Sequence, residues 1–440
     1  MNLTIHRGSH EIGGSCVELS ANGTRMILDV GMPLVNPDGT QFNMQEYKGL
    51  SGEDLFDKQV LPQVEGLYAW QKPSVNAVLI SHAHMDHYGF LKHVHPDIPV
   101  HMSEGTHKLL EISALFSGGT EPPDKCEHFT WPSSFEIGAF TITPHLVDHS
   151  SFSSFAFEIE AEGKRVFYSG DFRAHGHIGK KSLKILYERV QPEIDALIME
   201  GTMLGRSDET SQTEKDLSEE AAEICKQTDK AIFIYQAGQN ISRAVSFFKA
   251  ALHSRRLFIP DVYTAYVLDE LGHCHGGEKL PYPGKPGFEN ARVWYPKNVT
   301  DRLNRVGHMD IAHRYTLQKM AKEEMADDLS KVMLFVRPGM ERDLKRLEEL
   351  SGSLAGSTLI YSLWEGYKSQ KRTKDFLDTI ESMGVKVETV HASGHADIPS
   401  LKQMVNTLKP RKLIPIHTFN PDEYARVFNC TVVTDSELFI

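Results

Sequence analysis

Cysteine is scarce and dispersed in this sequence of 440 residues. The five cysteines form no CxxC pair and are Cys16, Cys126, Cys225, Cys274 and Cys430. Because disulfide frameworks use paired cysteines in an oxidising compartment, this odd count argues against a disulfide-stapled secreted scaffold and favours a reducing cytoplasm. The opening residues 1–14 also lack the basic and apolar stretches of a signal peptide, which favours the same location.

Long apolar runs and an excess of positive charge are also missing. No uninterrupted apolar segment approaches the roughly 20 residues of a membrane-spanning helix, so we expect no membrane partner. The 47 lysines and arginines are outnumbered by 59 aspartates and glutamates, and the formal net charge is −12. The overall charge therefore does not indicate a nucleic-acid-binding protein, although a local basic groove could still attract a phosphate chain.

Histidine, by contrast, is abundant, with 22 residues. Four short apolar runs with the pattern of strands are each followed by residues that ligate metals. These are NAVLIS before His82, FTITPHLV before His149, KRVFYSG before Asp171 and KLIPI before His417. Side chains at the ends of separate strands can meet at one edge of a sheet, where they are held more rigidly than on loops. We therefore expect these residues to converge.

The densest cluster is SHAHMDHYG, at residues 81–89. His82 and His84 can turn toward one ion, while Asp86 and His87 can serve a second ion nearby. A single histidine is more often a surface or hydrogen-bonded residue, but four ligand-type side chains in the pattern HxHxDH are rarely accidental. Imidazole and carboxylate are both zinc ligands. The loop therefore predicts a metal site.

Three residues further along the chain could complete this site. His149 would join the first ion, His417 the second, and Asp171 could bridge both through its two carboxylate oxygens. Two ions about 3.5–4 Å apart can hold the attacking and leaving oxygens of a phosphoester displacement. The sequence thus predicts two Zn²⁺ per chain, with Mn²⁺ as an alternative metal. A second histidine-rich tract, GHCHGG at 272–277, has no partner cluster, and we interpret it as a loop.

These motifs resemble those of the metallo-β-lactamase fold. SHAHMDHYG resembles its signature loop, LVDHS its third-ligand motif and YSGDFR its bridging-aspartate motif. Upstream, HEIGGSCVEL and MILDVGM resemble the opening strands of the fold. Asp29, in the second of these, matches a residue that supports a ligand histidine in that family.

Three later motifs resemble motifs A, B and C of the β-CASP nucleases. They are LIMEGTML with Glu200, HASGHAD with His395 and KPRKLIPIHTF with His417. Strand-like and helix-like runs alternate between motifs A and B, which indicates a parallel α/β layer. The resemblance implies an α/β protein, a metallo-β-lactamase αββα sandwich with an inserted α/β β-CASP domain. The expected domains are 1–205, 206–388 and 389–440, with the insertion in the middle.

The resemblance also implies a zinc-dependent ribonuclease that hydrolyses single-stranded RNA by attack of a metal-activated hydroxide. A histidine at motif C is the pattern of the RNA-cleaving members, whereas the DNA-repair members carry an apolar residue there. The predicted catalytic residues are Asp86, Glu200 and His395, with His395 oriented by Glu200 and assisting the leaving group. Glu200 and His395 could instead pair for a purely structural reason.

Substrate contacts are predicted at two places. In HASGHAD, Ser393 and Gly394 could bind a phosphate beside the motif B histidine. In AGQNISRAV, Ser242 and Arg243 lie at a helix start, where free amides favour an anion. The alternative there is an ordinary helix cap with a solvated arginine.

Other functions and modes stay open at this point. The same fold could carry a hydrolase for DNA, a small ester or a cyclic nucleotide, because fold does not fix function. A nucleic-acid-binding subunit without catalysis is a further alternative, although every expected metal ligand is present. The sequence does not distinguish an endonuclease from a 5′-exonuclease, or a monomer from a homodimer.

Overall fold

A computed structural model describes residues 1–36, 39–206 and 211–440. The chain divides into two compact units, and each is continuous in space but not in sequence. The first unit comprises Met1–Ala114, Gly119–Thr210 and Gly394–Ile440, and the second comprises Leu115–Gly118 and Ser211–Ser393. The domain boundaries expected after residues 205 and 388 stay predictions.

The described residues form eighteen strands and fourteen α-helices. In chain order the strands are β1 Asn2–Arg7, β2 Cys16–Ala21, β3 Thr24–Leu28, β4 Ala77–Leu79, β5 Val100–Met102, β6 Cys126–His128, β7 Phe135–Ile137, β8 Phe140–Val147, β9 Ser154–Ala161, β10 Lys164–Tyr168, β11 Ala196–Glu200, β12 Ile232–Tyr235, β13 Leu257–Ile259, β14 Val332–Phe335, β15 Thr358–Tyr361, β16 Lys386–Thr389, β17 Lys412–Ile416 and β18 Glu437–Phe439. The helices are α1 Gly52–Asp57, α2 Met85–Tyr88, α3 Glu104–Ser117, α4 Gly179–Arg189, α5 Glu214–Gln227, α6 Ile241–His253, α7 Val262–Gly272, α8 Lys297–Val306, α9 Met309–Arg314, α10 Lys322–Asp327, α11 Glu341–Ser351, α12 Lys371–Ser382, α13 Ile398–Leu408 and α14 Glu423–Val427.

The first unit is built on two sheets. One has the strand order β18-β1-β2-β3-β4-β5-β6 and the other β17-β11-β10-β9-β8-β7. Alternate residues of β10 face opposite sides of the second sheet, as the pleat requires. Val166 and Tyr168 enter a buried cluster with side chains of the first sheet, such as Leu19 and Leu79. Phe167 points the other way.

Helices cover the outer face of the second sheet. Phe167 packs in a second buried cluster with Leu183 and Leu186 of α4 and with Leu401 and Met404 of α13. Apolar side chains one turn apart give each helix one face for the sheet. The predicted αββα sandwich is confirmed.

The second unit contains a parallel sheet with the order β13-β14-β12-β15-β16. Every neighbouring pair in it is parallel. The central strands β12, β14 and β15 are buried throughout, which is typical of a sheet covered on both faces. Helices connect these strands along the chain, so the predicted inserted α/β layer is confirmed.

Local capping explains where several helices begin. Thr213 accepts a hydrogen bond from Asp216 N and forms a capping box at α5. The side chain of Asn240 accepts from Arg243 N at the start of α6, and that of Asp397 accepts from Ser400 N at the start of α13. Such caps satisfy amides that have no partner within the helix. Among the described residues, no helix combines the length and the apolarity needed to cross a lipid bilayer.

Candidate metal centre

The topology of the second sheet brings four ligand-bearing segments to one edge. Strands β10, β11 and β17 are parallel, and β8 runs in their direction because both β8 and β10 are antiparallel to β9. His149, Asp171, Glu200 and His417 each lie at or just after the carboxyl end of one of these strands. Of the HxHxDH ligands, His82 and His84 lie in the turn between β4 and α2, and Asp86 and His87 lie in α2.

Three imidazoles form the first ligand group. The ligand atoms of His82, His84 and His149 all lie within 4.8 Å of one another. His84 Nδ1 lies 3.2 Å from His82 Nε2 and 3.0 Å from His149 Nε2. Three nitrogens this close can serve one cation of the size of zinc, whose bonds to imidazole are about 2.0–2.1 Å long.

The second group combines two carboxylates with two imidazoles. The ligand atoms of this group also lie within 4.8 Å of one another, and all four residues are buried: Asp86, His87, Asp171 and His417. His417 Nε2 lies 3.0 Å from Asp86 Oδ2, and His87 Nε2 lies 3.2 Å from Asp171 Oδ2. The structure therefore brings together all seven predicted metal ligands in two groups.

Asp171 belongs to the second group and also lies close to the first. Its Oδ2 atom is 3.9 Å from His82 Nε2 and 3.8 Å from His149 Nε2 in the first group. The same oxygen is 3.7 Å from His417 Nε2 in the second. One carboxylate oxygen within ionic distance of both groups is the arrangement expected of a bridging ligand.

Glu200 and His395 lie beside the second group. Glu200 Oε2 is 3.0 Å from His395 Nδ1, while Oε1 accepts a hydrogen bond of 2.9 Å from Phe172 N. His395 Nδ1 is also 3.6 Å from Asp171 Oδ2. The side chain of Glu200 is 1% exposed, whereas that of His395 is 22% exposed, so only the histidine reaches solvent.

A hydrogen bond from His87 to Asp29 orients the imidazole ring. Asp29 Oδ2 accepts from His87 Nδ1 at 2.7 Å, which leaves Nε2 directed at the second group. The same oxygen also accepts from Ser81 Oγ and Tyr168 Oη, at 2.8 and 2.7 Å. This is the supporting role that the resemblance implied for Asp29. Such partners fix the tautomer and the ring orientation of a metal ligand.

Two further contacts fix the rings of His149 and His417. His149 Nδ1 donates to the carbonyl of Gly394 at 2.6 Å, so its Nε2 lone pair faces His84. Thr202 Oγ1 lies 2.7 Å from His417 Nδ1 and 3.3 Å from the carbonyl of the same residue. The backbone of His417 has a φ of 51°, in the left-handed region, a strained conformation typical of functional positions.

The protonation states of the first group suit metal binding. Burial lowers the pKa of His82 and His149 well below the usual value and lowers that of His84 to about 4. All three imidazoles are therefore neutral near pH 7, which is the form that ligates a cation.

The two carboxylates of the second group are held in the charged form. Burial raises the pKa of Asp86, but the hydrogen bond from His417 outweighs this effect and holds that pKa well below its usual value. The charges of His417 and His87 do the same for Asp171. Burial alone would lower the pKa of His395, but the charges of Glu200 and Asp171 outweigh it and raise that pKa to about 9.

Two buried polar atoms indicate where a cation would bind. His87 Nε2 and Asp171 Oδ2 have no hydrogen-bond partner among the described residues, although they lie 3.2 Å apart. A buried polar atom without a partner is costly, and a cation between these groups would satisfy both atoms. The donor set contains imidazole and carboxylate and no thiol, which suits zinc and also manganese.

The predicted substrate contacts lie in different surroundings. Ser393 and Gly394 directly precede His395, and Gly394 supplies the carbonyl that receives the His149 proton. Ser242 and Arg243 lie in the first turn of α6, in the second unit. The guanidinium of Arg243 is buried and bound to Glu214, Ser362 and Ala392. It is therefore not the solvated arginine of the alternative interpretation, and the predicted direct contact of Arg243 with the substrate is wrong because no part of its side chain reaches solvent.

Two family models match the chain. Residues 54–235, which include the HxHxDH loop, His149, Asp171 and Glu200, match the beta-lactamase superfamily domain. Residues 382–419, which include His395 and His417, match the Zn-dependent metallo-hydrolase RNA specificity domain. A beta-lactamase superfamily domain followed by an RNA specificity domain is consistent with the β-CASP, ribonuclease J-like family.

Curated relatives of this chain carry related names. A protein named ribonuclease J from Sinorhizobium meliloti is 25% identical over an alignment of 383 positions that covers 84% of this chain and 61% of the relative. A protein named RNase J-like from Methanocaldococcus jannaschii is 24% identical, over 94% of this chain and 92% of the relative. The transcription termination factor FttA of Methanothermobacter thermautotrophicus is 23% identical, over 95% and 67%. The chain thus spans about three fifths to two thirds of several of these relatives.

A solved structure shares the fold of this chain. It is a protein of unknown function from Enterococcus faecalis V583, with a TM-score of 0.77 and 18% identity. The match covers 100% of this chain and 99% of the other.

Sequence reasoning missed three residues that orient the candidate ligands. Ser81 and Tyr168 share Asp29 with His87, and Thr202 holds His417. Each lies inside a motif named in the sequence analysis, one to three residues from His82, Asp171 or Glu200. A hydroxyl in that position was the available signal.

Proposed function

We propose that the protein is a zinc-dependent ribonuclease that hydrolyses single-stranded RNA. The observation that carries this proposal is the position of Asp171, whose Oδ2 lies 3.2–3.9 Å from imidazole nitrogens of both ligand groups. The match of residues 382–419 to an RNA specificity domain and the ribonuclease names of the relatives support RNA as the substrate.

Seven side chains would hold two Zn²⁺. His82, His84 and His149 would bind the first ion, and the second would use Asp86, His87 and His417, with Asp171 shared by both. The chemistry that such a pair of cations supplies is the activation of water as a nucleophile and the neutralisation of charge on the phosphoryl oxygens. Asp86 would act in catalysis as a ligand of the second ion, next to His417.

His395 would assist the leaving group. Its Nδ1 is engaged by Glu200, so Nε2 is the nitrogen that would donate a proton to the leaving oxygen. Glu200 is buried and would stabilise the imidazolium before the transfer and keep the ring in one orientation. After the transfer, the imidazole would regain its proton from solvent through its exposed side.

Substrate contacts would come from the chain around His395. Ser393 and Gly394 would contact a phosphate beside the scissile bond. Arg243 would act indirectly, because its Nη2 donates to the carbonyl of Ala392 at 2.8 Å and so fixes the residue before Ser393. Ser242 stays a predicted contact at the start of α6.

The decisive experiment follows three labelled single-stranded RNAs, with a 5′-monophosphate, a 5′-triphosphate or a circular backbone. We expect metal-dependent hydrolysis of RNA, with cutting of the circle indicating an endonuclease. Release of mononucleotides only from the monophosphate would indicate a 5′-exonuclease. Hydrolysis of DNA, a small ester or a cyclic nucleotide without action on RNA would contradict the proposal, as would tight RNA binding without bound metal.

A variant pair separates the role of His395 from metal binding. His395→Ala should lower the rate of RNA cleavage by at least about 100-fold, because it removes the proton donor, and should keep both zinc equivalents. His313→Ala, which changes an exposed histidine of the second unit, serves as the matched control and should leave the rate unchanged. The cytoplasmic location and a homodimeric state stay predictions.

A further inference from the structure

A third group of metal-ligating side chains lies in the first unit, outside the candidate metal centre. It consists of His107, Cys126 and His128, whose ligand atoms all lie within 4.8 Å of one another. The closest pair is His107 Nδ1 and His128 Nε2, which are 2.6 Å apart. None of these residues belongs to the two ligand groups described above, so the function proposed for those groups does not account for them.

Strand pairing and the start of α3 set this arrangement. Strand β6 pairs in parallel with β5, and Cys126 and His128 are alternate residues of β6, so they share one face of the sheet. Glu127 between them points to the opposite face, where its Oε2 lies 3.7 Å from His101 Nδ1. Helix α3 begins two residues after β5 ends and places His107 over the face that carries Cys126 and His128.

The chemistry of the group fits a zinc ion. Thiolate and imidazole are the ligands of structural zinc sites. Two imidazole nitrogens at 2.6 Å must share one proton, since one ring donates and the other accepts. A cation can replace that proton if the nitrogens separate to about 3.3 Å, as bonds of about 2.0–2.1 Å to zinc require. The ring of His128 is exposed, so it can make this small movement.

A carboxylate lies near the second ring nitrogen of His107. Glu111 lies one turn beyond His107 on α3, and its Oε1 is 3.9 Å from His107 Nε2. Metal-ligating histidines commonly direct their second ring nitrogen at a carboxylate, which strengthens the ligand and fixes its orientation. His107 therefore presents Nδ1 to the group and Nε2 to Glu111.

We propose that His107, Cys126 and His128 form a third zinc site, with three protein ligands, that joins α3 to β6. Strand β6 is three residues long and lies at the end of the seven-stranded sheet, where one side of its backbone has no neighbouring strand among the described residues. A metal bridge to α3 would hold this edge in place. Solvent at the exposed ring of His128 would supply water as the fourth ligand.

Zinc binding at this group is linked to the loss of a proton. Burial, together with the charges of Glu111 and Glu127, raises the pKa of the Cys126 thiol to about 11. The thiol is therefore protonated near pH 7 without metal. On binding, the bond between Sγ and its hydrogen breaks, the proton passes to solvent and the thiolate forms the bond to Zn²⁺.

Cobalt substitution tests the site independently of RNA cleavage. The full chain is loaded with Co²⁺, and its near-ultraviolet spectrum is recorded along with its metal content. We expect a thiolate-to-cobalt charge-transfer band, because Cys126 is the thiol of the group, whereas the candidate metal centre offers only nitrogen and oxygen ligands. Cys126→Ser should lose this band and one metal equivalent while keeping the other equivalents and the RNA-cleaving activity.

Two further variants make the test specific. Cys430→Ser changes a half-buried cysteine outside the group and should keep the band and the metal content of the wild type. His128→Gln changes an exposed side chain, so it should fold and yet lose the same single equivalent as Cys126→Ser. A wild-type chain without the band, or with the same metal content as Cys126→Ser and His128→Gln, would overturn the proposal.

Discussion

The two units of the chain each bury a set of charged groups, but they satisfy them in different ways. In the second unit, Arg243 and Glu214 form a fully buried ion pair. The guanidinium also donates to Ser362 and Ala392, and Glu214 accepts from Ser246 Oγ at 2.7 Å. In the first unit, Asp171 Oδ2 and His87 Nε2 are buried, and the part of the chain that the structure describes offers neither of them a hydrogen bond.

The difference distinguishes a structural charge pair from a binding site. A buried pair whose donors and acceptors are all used holds the chain together and needs nothing from outside. Buried carboxylates without such bonds carry a desolvation cost that the protein alone does not offset. We therefore expect changes at Arg243 to affect folding, and changes at Asp171 to affect metal binding and cleavage.

The largest effect should come from Asp171→Asn. The change removes the negative charge that both ligand groups share, so the rate of RNA cleavage should fall at least about 1,000-fold. Metal analysis should show fewer zinc equivalents per chain. Added Zn²⁺ should also raise the unfolding temperature less than in the wild type, because the variant binds fewer ions and ligand binding stabilises only a protein that binds it. Normal zinc content with normal cleavage would remove Asp171 from the centre.

Arg243→Met should act on stability and leave metal content unchanged. Removal of one partner leaves Glu214 buried without its counter-charge, which should lower the free energy of unfolding by about 3–5 kcal/mol. Urea denaturation measures this loss. Lys215→Met, which breaks an exposed ion pair with Glu219 on α5, is the control and should change stability little.

A second change sharpens the Arg243 result. Glu214→Leu in the Arg243→Met background removes the buried carboxylate that has lost its ion-pair partner, and it should restore part of the lost stability. If Arg243→Met is as stable as Lys215→Met, the pair is not the structural element that its burial indicates. A loss of zinc in Arg243→Met would equally break the proposed contrast between the units.

Asp29→Asn should weaken metal binding without removing a ligand. Asparagine adopts the left-handed backbone of Asp29, whose φ is 59°, but it gives His87 a weaker acceptor. Zinc affinity should fall about 10–100-fold, as measured by competition with a chelator. Tyr168→Phe removes one hydrogen bond to the same oxygen and keeps the carboxylate, so its loss should be smaller. An equal loss in both variants would assign the effect to packing.

Much of the candidate centre could be predicted because its ligands follow strands. The runs before His82, His149, Asp171 and His417 form β4, β8, β10 and β17. Strands β8, β10 and β17 end at one edge of the second sheet, whereas β4 belongs to the first sheet, so the expected single edge is found for three of the four runs. The periodicity of a strand and the chemistry of its last residues are both local in sequence. The supporting role of Asp29 came from the family resemblance and not from any local pattern.

What the sequence did not predict depends on tertiary packing. The helix start at Arg243 was expected, but nothing local indicates that Glu214 of the preceding helix lies against the guanidinium. The tract GHCHGG, by contrast, is interpreted as a loop from the sequence, and all of it except Gly272 follows the end of α7. His107, Cys126 and His128 form such a group because a helix folds back over a strand.

The smallest of these effects should come from Thr202, whose hydroxyl contacts both His417 Nδ1 and His395 Nδ1, at 2.7 and 3.2 Å. Thr202→Val keeps the shape but removes the hydroxyl, so the turnover rate should fall about tenfold while the apparent affinity for RNA changes little. Thr202→Ser keeps the hydroxyl and should retain most of the turnover. If the turnover rate of Thr202→Ser falls as far as that of Thr202→Val, the methyl group of Thr202 matters and its hydroxyl does not. Thr202 would then be a packing residue, closer in kind to the interior around Arg243 than to the metal centre.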